Sequence, residues 1–471
     1  PPPFPGAPTA AGLLRKLIEV VTSEPGRYAD AAGQLAGLGD DDLRAVVAGW
    51  REAARQGTAF AWGPVIGLFG TLASAWASRS PGVALPVGIA RCLAAGLTTG
   101  PAEIPADLRG AVWEVIQLLA QWPADPAPAS ASSGAALSVA AEGLQAVTRY
   151  ALWVRRQLES GQGARVAGQA GFDAMPEVRD VLERHLAAEH RPVAVQAVFG
   201  QWFPWLLMLD PEWAVAHAAS IFPADGPAEL RRAAWETYLA RTPVFDQVFE
   251  LLSSEYQQAV GTLGSEDGLT RPQQGLAEHL MQLYLRGRVS LDGLFGAFFE
   301  QAPEPQRAHA LAYIGQMLRN QTEGRVPGEI LLRLQRLWEQ RLAAASSGDP
   351  EAYAEELSMF GHWFASGKFE AAWALGQLAA LLQLTGRVAA TSTVVEGLKP
   401  HMESMPLEVV QCIAALIARE KGAITILGWG QDAQQILSRI VGSSHAEARN
   451  LALDLLDTFD LQPVRELVRW S

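Results

Sequence analysis

Cysteine is nearly absent: Cys92 and Cys412 are the only two in 471 residues. They lie far apart, in the apolar contexts RCLAAGL and VVQCIAAL. That excludes a disulfide framework and a cysteine-built metal site, and it fits reduced, buried thiols in a cytosolic protein. Strings of alternating Val, Ile and Thr are scarce as well, which argues against sheet. Charge is sparse, with 18% charged residues against 49% hydrophobic ones. A large core is within reach, and global disorder is disfavoured. Positive charge is the minority, for a formal net charge of −13 and a pI near 5.2. A duplex-binding protein presents a basic face, so general nucleic-acid binding is not favoured, although a local basic groove stays open. No charged-then-apolar signal peptide is visible. The Pro-rich opening at Pro1, without a Met, is expected of a piece of something longer or of a trimmed chain.

What is abundant is Ala, Leu and Gly, which favours helices. The stretch Glu355–Leu384, EELSMFGHWFASGKFEAAWALGQLAALLQL, shows the plan. Leu357, Phe360 and Phe364 share one helical face, Ser366-Gly367 interrupts, and Phe369, Trp373, Leu378, Leu381 and Leu382 carry a second apolar stripe. Neither helix can bury such a stripe alone, and the pair needs neighbours, which is the logic of a stacked hairpin repeat. From Glu229 onward such blocks recur: 229–240, 243–263, 272–286, 291–301, 305–320, 327–344 and 351–364, then 392–402, 406–420, 431–441, 446–458 and 463–470. Pro272, Pro305, Pro327, Pro406 and Pro463 stand at block starts, where a missing N–H costs nothing. Two-helix units recur at roughly 35–45 residues, as in HEAT-like arrays.

Before that point the chain is less regular. Gln56–Ser78 is apolar, with Gly63 and Gly67 in a GxxxG spacing, and reads either as a membrane span or as two shorter buried helices around Gly63-Pro64. The buried pair is the better fit. Pro123–Gly134, PADPAPASASSG, is the clearest break, and Ser160–Gly171 is a second soft segment. Val193–Phe222 is dense in aromatics and reads as a core hairpin or as an exposed apolar docking patch.

Chemical motifs fail on spacing. Gly361 to Lys368 has five residues between its glycines where a phosphate loop needs four, and Phe369 stands where Ser or Thr must reach a metal. His185 and His190 are five apart, about 140° out of phase on a helix, so one metal cannot easily take both. The remaining histidines are scattered, and no GxSxG elbow occurs. Arginines form loose clusters: Arg231, Arg232 and Arg241; Arg286 and Arg288; Arg333, Arg336 and Arg341. They read as a solvated face or as a concave basic stripe for an acidic partner or nucleic acid.

Several phrases together are familiar: AAWETYLARTPVFDQVFELLSSEYQQAV at Ala233–Val260, AEHLMQLYLRGRVSLD at Ala277–Asp292, FFEQAPEPQRAHALAYIGQML at Phe298–Leu318, LQRLWEQRL at Leu334–Leu342, and FGHWFASGKFEAAWALGQLAALLQLTG at Phe360–Gly386. This set resembles the C-terminal helical-repeat region of large bacterial STAND/NACHT-type signalling NTPases of anti-phage defence, over roughly Leu206 to the end. The resemblance implies an array that senses a trigger and holds an NTPase inactive. No Walker motif or effector signature is present to map, so no site residue carries over.

The expected fold is therefore all-α, a solenoid of stacked antiparallel helix pairs of HEAT-like repeats. Residues 1–122 are expected to form an N-terminal helical region, 123–176 a flexible Pro/Ala/Ser/Gly-rich connection with a helix, and 177–471 the HEAT-like array. The expected function is a non-catalytic, cytoplasmic sensor or scaffold of a defence signalling protein. Its partner would be a protein or phage-derived trigger, with NTPase or effector domains upstream in the same or a neighbouring polypeptide. No cofactor, metal, specific nucleic acid or membrane is expected. Trp202, Trp205, Trp213, Trp235 and Trp363 are the expected binding residues. The alternative is a stand-alone adaptor or inhibitory subunit that controls a separately encoded effector enzyme.

Overall fold

The computed structural model describes residues 9–76, 82–123, 138–161, 171–264, 269–321, 325–419 and 428–469. Among these the chain is all-α: helices joined by turns, with no strand. It divides into two compact units, Pro1–Thr242 and Pro243–Ser471.

In the first unit eleven helices follow one another: α1 (Ala10–Ser23), α2 (Pro25–Asp30), α3 (Asp40–Arg55), α4 (Trp62–Ala75), α5 (Ala84–Gly96), α6 (Arg109–Ala120), α7 (Val139–Glu159), α8 (Pro176–Ala187), α9 (Val193–Leu209), α10 (Pro211–Ile221) and α11 (Ala228–Arg241). The odd-numbered helices stack in order, each packed on the next but one in sequence, from α1 through α11. Helices α2, α4 and α6 form a second row, while α8 and α10 pack on α7 and α9. This alternation of rows is the solenoid of paired helices that the apolar stripes demand, because a helix with one buried stripe needs neighbours on both sides.

Sequence chemistry sets the ends. Asp40, Asp41 and Asp42 occupy the first turn of α3, where the backbone dipole favours carboxylates. Asp210 caps α10 by accepting from the Trp213 N–H at 2.9 Å, and its other oxygen accepts from the Phe172 N–H at 2.9 Å. Buried indoles find backbone carbonyls at turns and at a helix start: Trp50 donates to Pro25 O at the start of α2, Trp62 to Ala102 O and Trp153 to Ile104 O. A buried N–H without an acceptor would be costly, so these bonds fix which loop lies over which helix. Gly200 makes the closest crossing, since a methyl there would lie 2.0 Å from the carbonyl oxygen of Ala234 on α11.

The second unit continues the theme with α12 (Asp246–Leu251), α13 (Ser253–Gly261), α14 (Arg271–Leu285), α15 (Leu294–Gln301), α16 (Glu304–Asn320), α17 (Gly328–Ser347), α18 (Ala354–Ser358), α19 (Phe360–Phe364), α20 (Ala371–Thr385), α21 (Thr391–Leu398), α22 (Pro406–Arg419), α23 (Gly430–Val441) and α24 (Ala446–Arg469). Helix α16 packs on α14 and on the α18–α19 pair, α20 on α22, and α22 on α24. Among the residues whose side chains are described in both units, Phe245 is the only Phe, Tyr or Trp that is exposed, at 45%. The shared interior does hold the rings.

Several expectations change in detail. The first helix of the 355–384 hairpin is two short ones, α18 and α19, because the Ser358 carbonyl accepts from the Ala389 N–H at 2.8 Å instead of closing a helical turn. Its interruption at Ser366-Gly367 holds, with Gly367 in the left-handed region at φ 63°. The block expected over 243–263 breaks at Leu252. Pro463 lies inside α24 rather than opening a helix of its own, and no side chain beyond Asp457 is among those described. Gln56–Ser78 holds one helix, α4, which starts beside Gly63-Pro64, instead of two. No helix among the described residues is long and apolar enough to cross a membrane.

The division into units falls at Thr242/Pro243, away from 122 and 176. The soft stretches 124–137 and 162–170 lie outside the described residues. Between them α7 is a core element, with Trp153 and Tyr150 buried and with α5, α6 and α9 packed on it.

Candidate docking groove

Five helices of the first unit turn one stripe each toward a common groove. From α3 come Arg51, Ala54 and Arg55; from α5, Arg91, Ala94 and Ala95; from α7, Ala141, Glu142, Gln145 and Arg149. Helix α9 adds Ala194, Ala197 and Gln201, and α11 adds Thr237 and Arg241. Within each helix these positions recur at spacings of three and four, which puts them on one face. The stacked odd-numbered row then aligns the faces into one surface with a cavity of about 1050 Å³. Alanines at the floor keep it open, and among the described residues no aromatic side chain lines it.

Its charge is one-sided. Arg51, Arg55, Arg91, Arg149 and Arg241 face one carboxylate, Glu142. That carboxylate is already held by Arg91, whose Nε and Nη2 lie 3.0 and 2.6 Å from Glu142 Oε1. Among the described residues none of the other four has an ion-pair partner. Arg149 is packed in place, with its guanidinium 5.2 Å from the ring centroid of Trp202 and its Nη1 3.4 Å from Thr98 Oγ1. Burial lowers the pKa of Arg149 from its ordinary value, yet a guanidinium stays charged at neutral pH. The Arg51 Nε is buried without a hydrogen-bond partner. Arg55 and Arg241 are exposed at the rim.

The tryptophans expected to bind are placed otherwise. Trp202 is buried behind Arg149 and reaches the groove only through it. Trp205 is half-buried, edge-on to Trp202 at 5.1 Å. Trp213 is buried, donates to Glu183 Oε1 at 3.3 Å and stacks on His217. Trp235 is half-buried between Phe222 and Tyr238. Trp363, in the second unit, is fully buried and donates to Leu311 O at 2.8 Å. Three of the five are core, because an indole buries more apolar area than a rim can leave wet.

Of the arginine clusters read in the sequence, Arg241 belongs to the groove. Arg232 lies near Glu236 on its own helix, Arg286 and Arg288 both pair with Asp246, and Arg333 donates to Leu285 O. Arg341 is buried against Glu356, and Arg336 is exposed. Arg51, Arg55, Arg91 and Arg149 were not picked out by sequence reasoning. The usable signal was an arginine on the same stripe as alanines in α3, α5 and α7.

The histidines are not brought together. His185 bonds Ala120 O, His279 bonds Tyr256, and His309 bonds Glu278. His362 has a buried Nδ1 without a partner. Cys92 and Cys412 are buried free thiols whose pKa burial pushes up to about 12, so neither is a thiolate at neutral pH. Among the described residues no group of three or more His, Cys, Asp or Glu is placed to hold a metal.

No family model matches the chain, and no curated protein matches it. Among solved structures it is similar to the crystal structure of an engineered protein, at 13% identity over 94% of this chain and 98% of that one, with a TM-score of 0.28. It is also similar to a chain in the structure of the Pds5–Scc1 complex, at 10% identity over 96% of this chain and 81% of that one, with a TM-score of 0.23. Likeness at this level places no function on this chain.

Chemically the groove offers fixed positive charge and planar N–H forks. Guanidiniums neither accept hydrogen bonds nor release protons near neutral pH, so the surface is suited to holding anions rather than to moving protons.

Proposed function

We propose that this chain is a non-catalytic recognition and scaffold module that binds a protein partner through its helical array. The observation that carries this reading is the groove across α3, α5, α7, α9 and α11, an open surface built by stacking rather than by one loop. Extended surfaces of this kind are what repeat arrays supply for recognition. In keeping with the sequence resemblance, we assign the module to a cytoplasmic STAND/NACHT-type defence system, as the part that senses a phage-derived trigger. The mechanism is a population shift: a partner that prefers one arrangement of the stack biases that state. Moving a 1:99 mixture to 99:1 takes a preference of about 5.5 kcal/mol.

The test is affinity recovery of the full chain co-expressed with each protein of a phage that triggers defence. The reading expects one phage protein to co-elute with the chain in a fixed ratio on size exclusion. Failure of every protein from a triggering phage to co-elute overturns it.

A further inference from the structure

We propose that the groove of the first unit takes an acidic polypeptide segment, whose carboxylates are received by Arg51, Arg55, Arg149 and Arg241. This rests on the reading of the chain as a protein-binding scaffold and names the chemistry of what it binds.

Three observations carry it. First, the chain has 50 acidic residues against 37 basic ones, so carboxylates are in excess, yet these four guanidiniums have no ion-pair partner among the described residues. Folding has assembled this positive charge from three helices, α3, α7 and α11, in one groove of a chain that is negative overall. Second, Arg149 is already ordered by Trp202 and Thr98, so part of the entropy cost of fixing that side chain is met before a partner arrives. Third, the floor is small: Ala54, Ala94, Ala141, Ala194 and Ala197 let a main chain lie close to the helices, with Gln145 and Gln201 able to bond its amides.

Charge complementarity leaves nucleic acid as the competing class, and the lining disfavours it. Single-strand binders stack bases on aromatic side chains, and among the described residues this groove is lined by none. A long polyanion would also meet the −13 net charge beyond the groove, whereas a short acidic segment stays within it. Arginine forks match carboxylates bidentately.

The experiment uses the full chain, a fluorescein-labelled decaglutamate peptide read by anisotropy, and a labelled dT12 oligonucleotide in a parallel arm. Two double charge reversals carry the same change in net charge: R55E/R241E in the groove, and R232E/R336E at exposed positions that do not line it. The expected result is saturable peptide binding that weakens about tenfold or more in R55E/R241E, and less than about twofold in R232E/R336E. Raising salt from about 50 to about 200 mM should weaken the wild-type interaction. Circular dichroism and thermal melts confirm that both variants fold, since both alter exposed side chains.

Absence of peptide binding overturns the proposal, as does equal loss in the two variants. Tighter, groove-dependent binding of dT12 overturns it in favour of nucleic acid. The two readings fail separately. If R55E/R241E still recovers the phage partner as wild type does, the groove assignment falls and the scaffold stands. If no partner is ever recovered but the peptide binds through the groove, the converse holds.

Discussion

In the second unit Arg307 and Arg341 converge on Glu356, each with a nitrogen 2.6 Å from a carboxylate oxygen, and Glu356 is completely buried. Arg286 and Arg288 close on Asp246, and Arg271 with His309 on Glu278. In the first unit Arg51, Arg55, Arg149 and Arg241 look into a groove with no carboxylate of their own among the described residues. Both units are stacked helix pairs, and both contain the same residue type on helix faces. The second unit uses arginine to tie helices and turns together; the first does so too, through Arg91–Glu142, Arg109–Glu177 and Arg156–Glu103, but leaves these four facing the groove. The paired ones are structural, and the unpaired ones in the groove are available to a partner.

That contrast can be broken at several points. The largest effect should come from Glu356→Gln. Removing the charge leaves Arg307 and Arg341 buried without their counter-ion, and urea unfolding should show a loss of about 3–5 kcal/mol. A loss below about 1 kcal/mol would mean that the paired arginines are not structural, and the contrast would lose its basis.

Next is Gly200→Ala at the α9–α11 crossing, where the added methyl meets the Ala234 carbonyl. Overpacking there should cost about 1–3 kcal/mol and move α11, so peptide affinity for the groove should fall with stability. Unchanged affinity at reduced stability would show that Arg241 does not depend on that register. Smaller again is Asp210→Ala, which removes the cap of α10 and the bond to Phe172 N–H together, for about 0.5–2 kcal/mol. Because Asp210 lies outside the groove, peptide binding should not change.

A pH scan separates the units further. Burial alone would raise the pKa of Glu278, but hydrogen bonds from His309 and Arg271 outweigh it and hold the group at about 2, below its ordinary 4.5. A carboxylate depressed on folding adds stability above its unfolded pKa, and that stability is lost as pH falls from about 4.5 toward 2. Thermal melts should therefore show the wild type losing stability over this window, with a shallower loss in Glu278→Gln. An identical slope in the two would remove Glu278 from the account. The smallest effect on stability is expected for R55E/R241E, within about 0.5 kcal/mol, since neither side chain is tied to the fold.

Much of the architecture could be read from residues alone. The 357/360/364 stripe, the Gly367 stop and the early prolines announced hairpins, and the structure has them. The blocks are not self-contained. The Met359 break depends on the Ala389 N–H, which is thirty residues away in sequence and adjacent in space. For the site, less was legible. Large rings are as typical of a core as of a binding surface, and Trp202, Trp213 and Trp363 are buried. Arg55 and Arg91 look like ordinary helix-surface residues in their own segments, and nothing local says that their faces align.

The sequence by itself determined which segments are helical and which stripe each one buries, because periodicity and capping residues act within a few positions, while breaks such as the one at Met359 needed a distant partner. Only the tertiary structure decided which arginines have partners. A salt bridge depends on the register between neighbouring helices, and the groove draws its charges from positions as far apart as Arg51 and Arg241, brought to one face by the stacking of alternate helices.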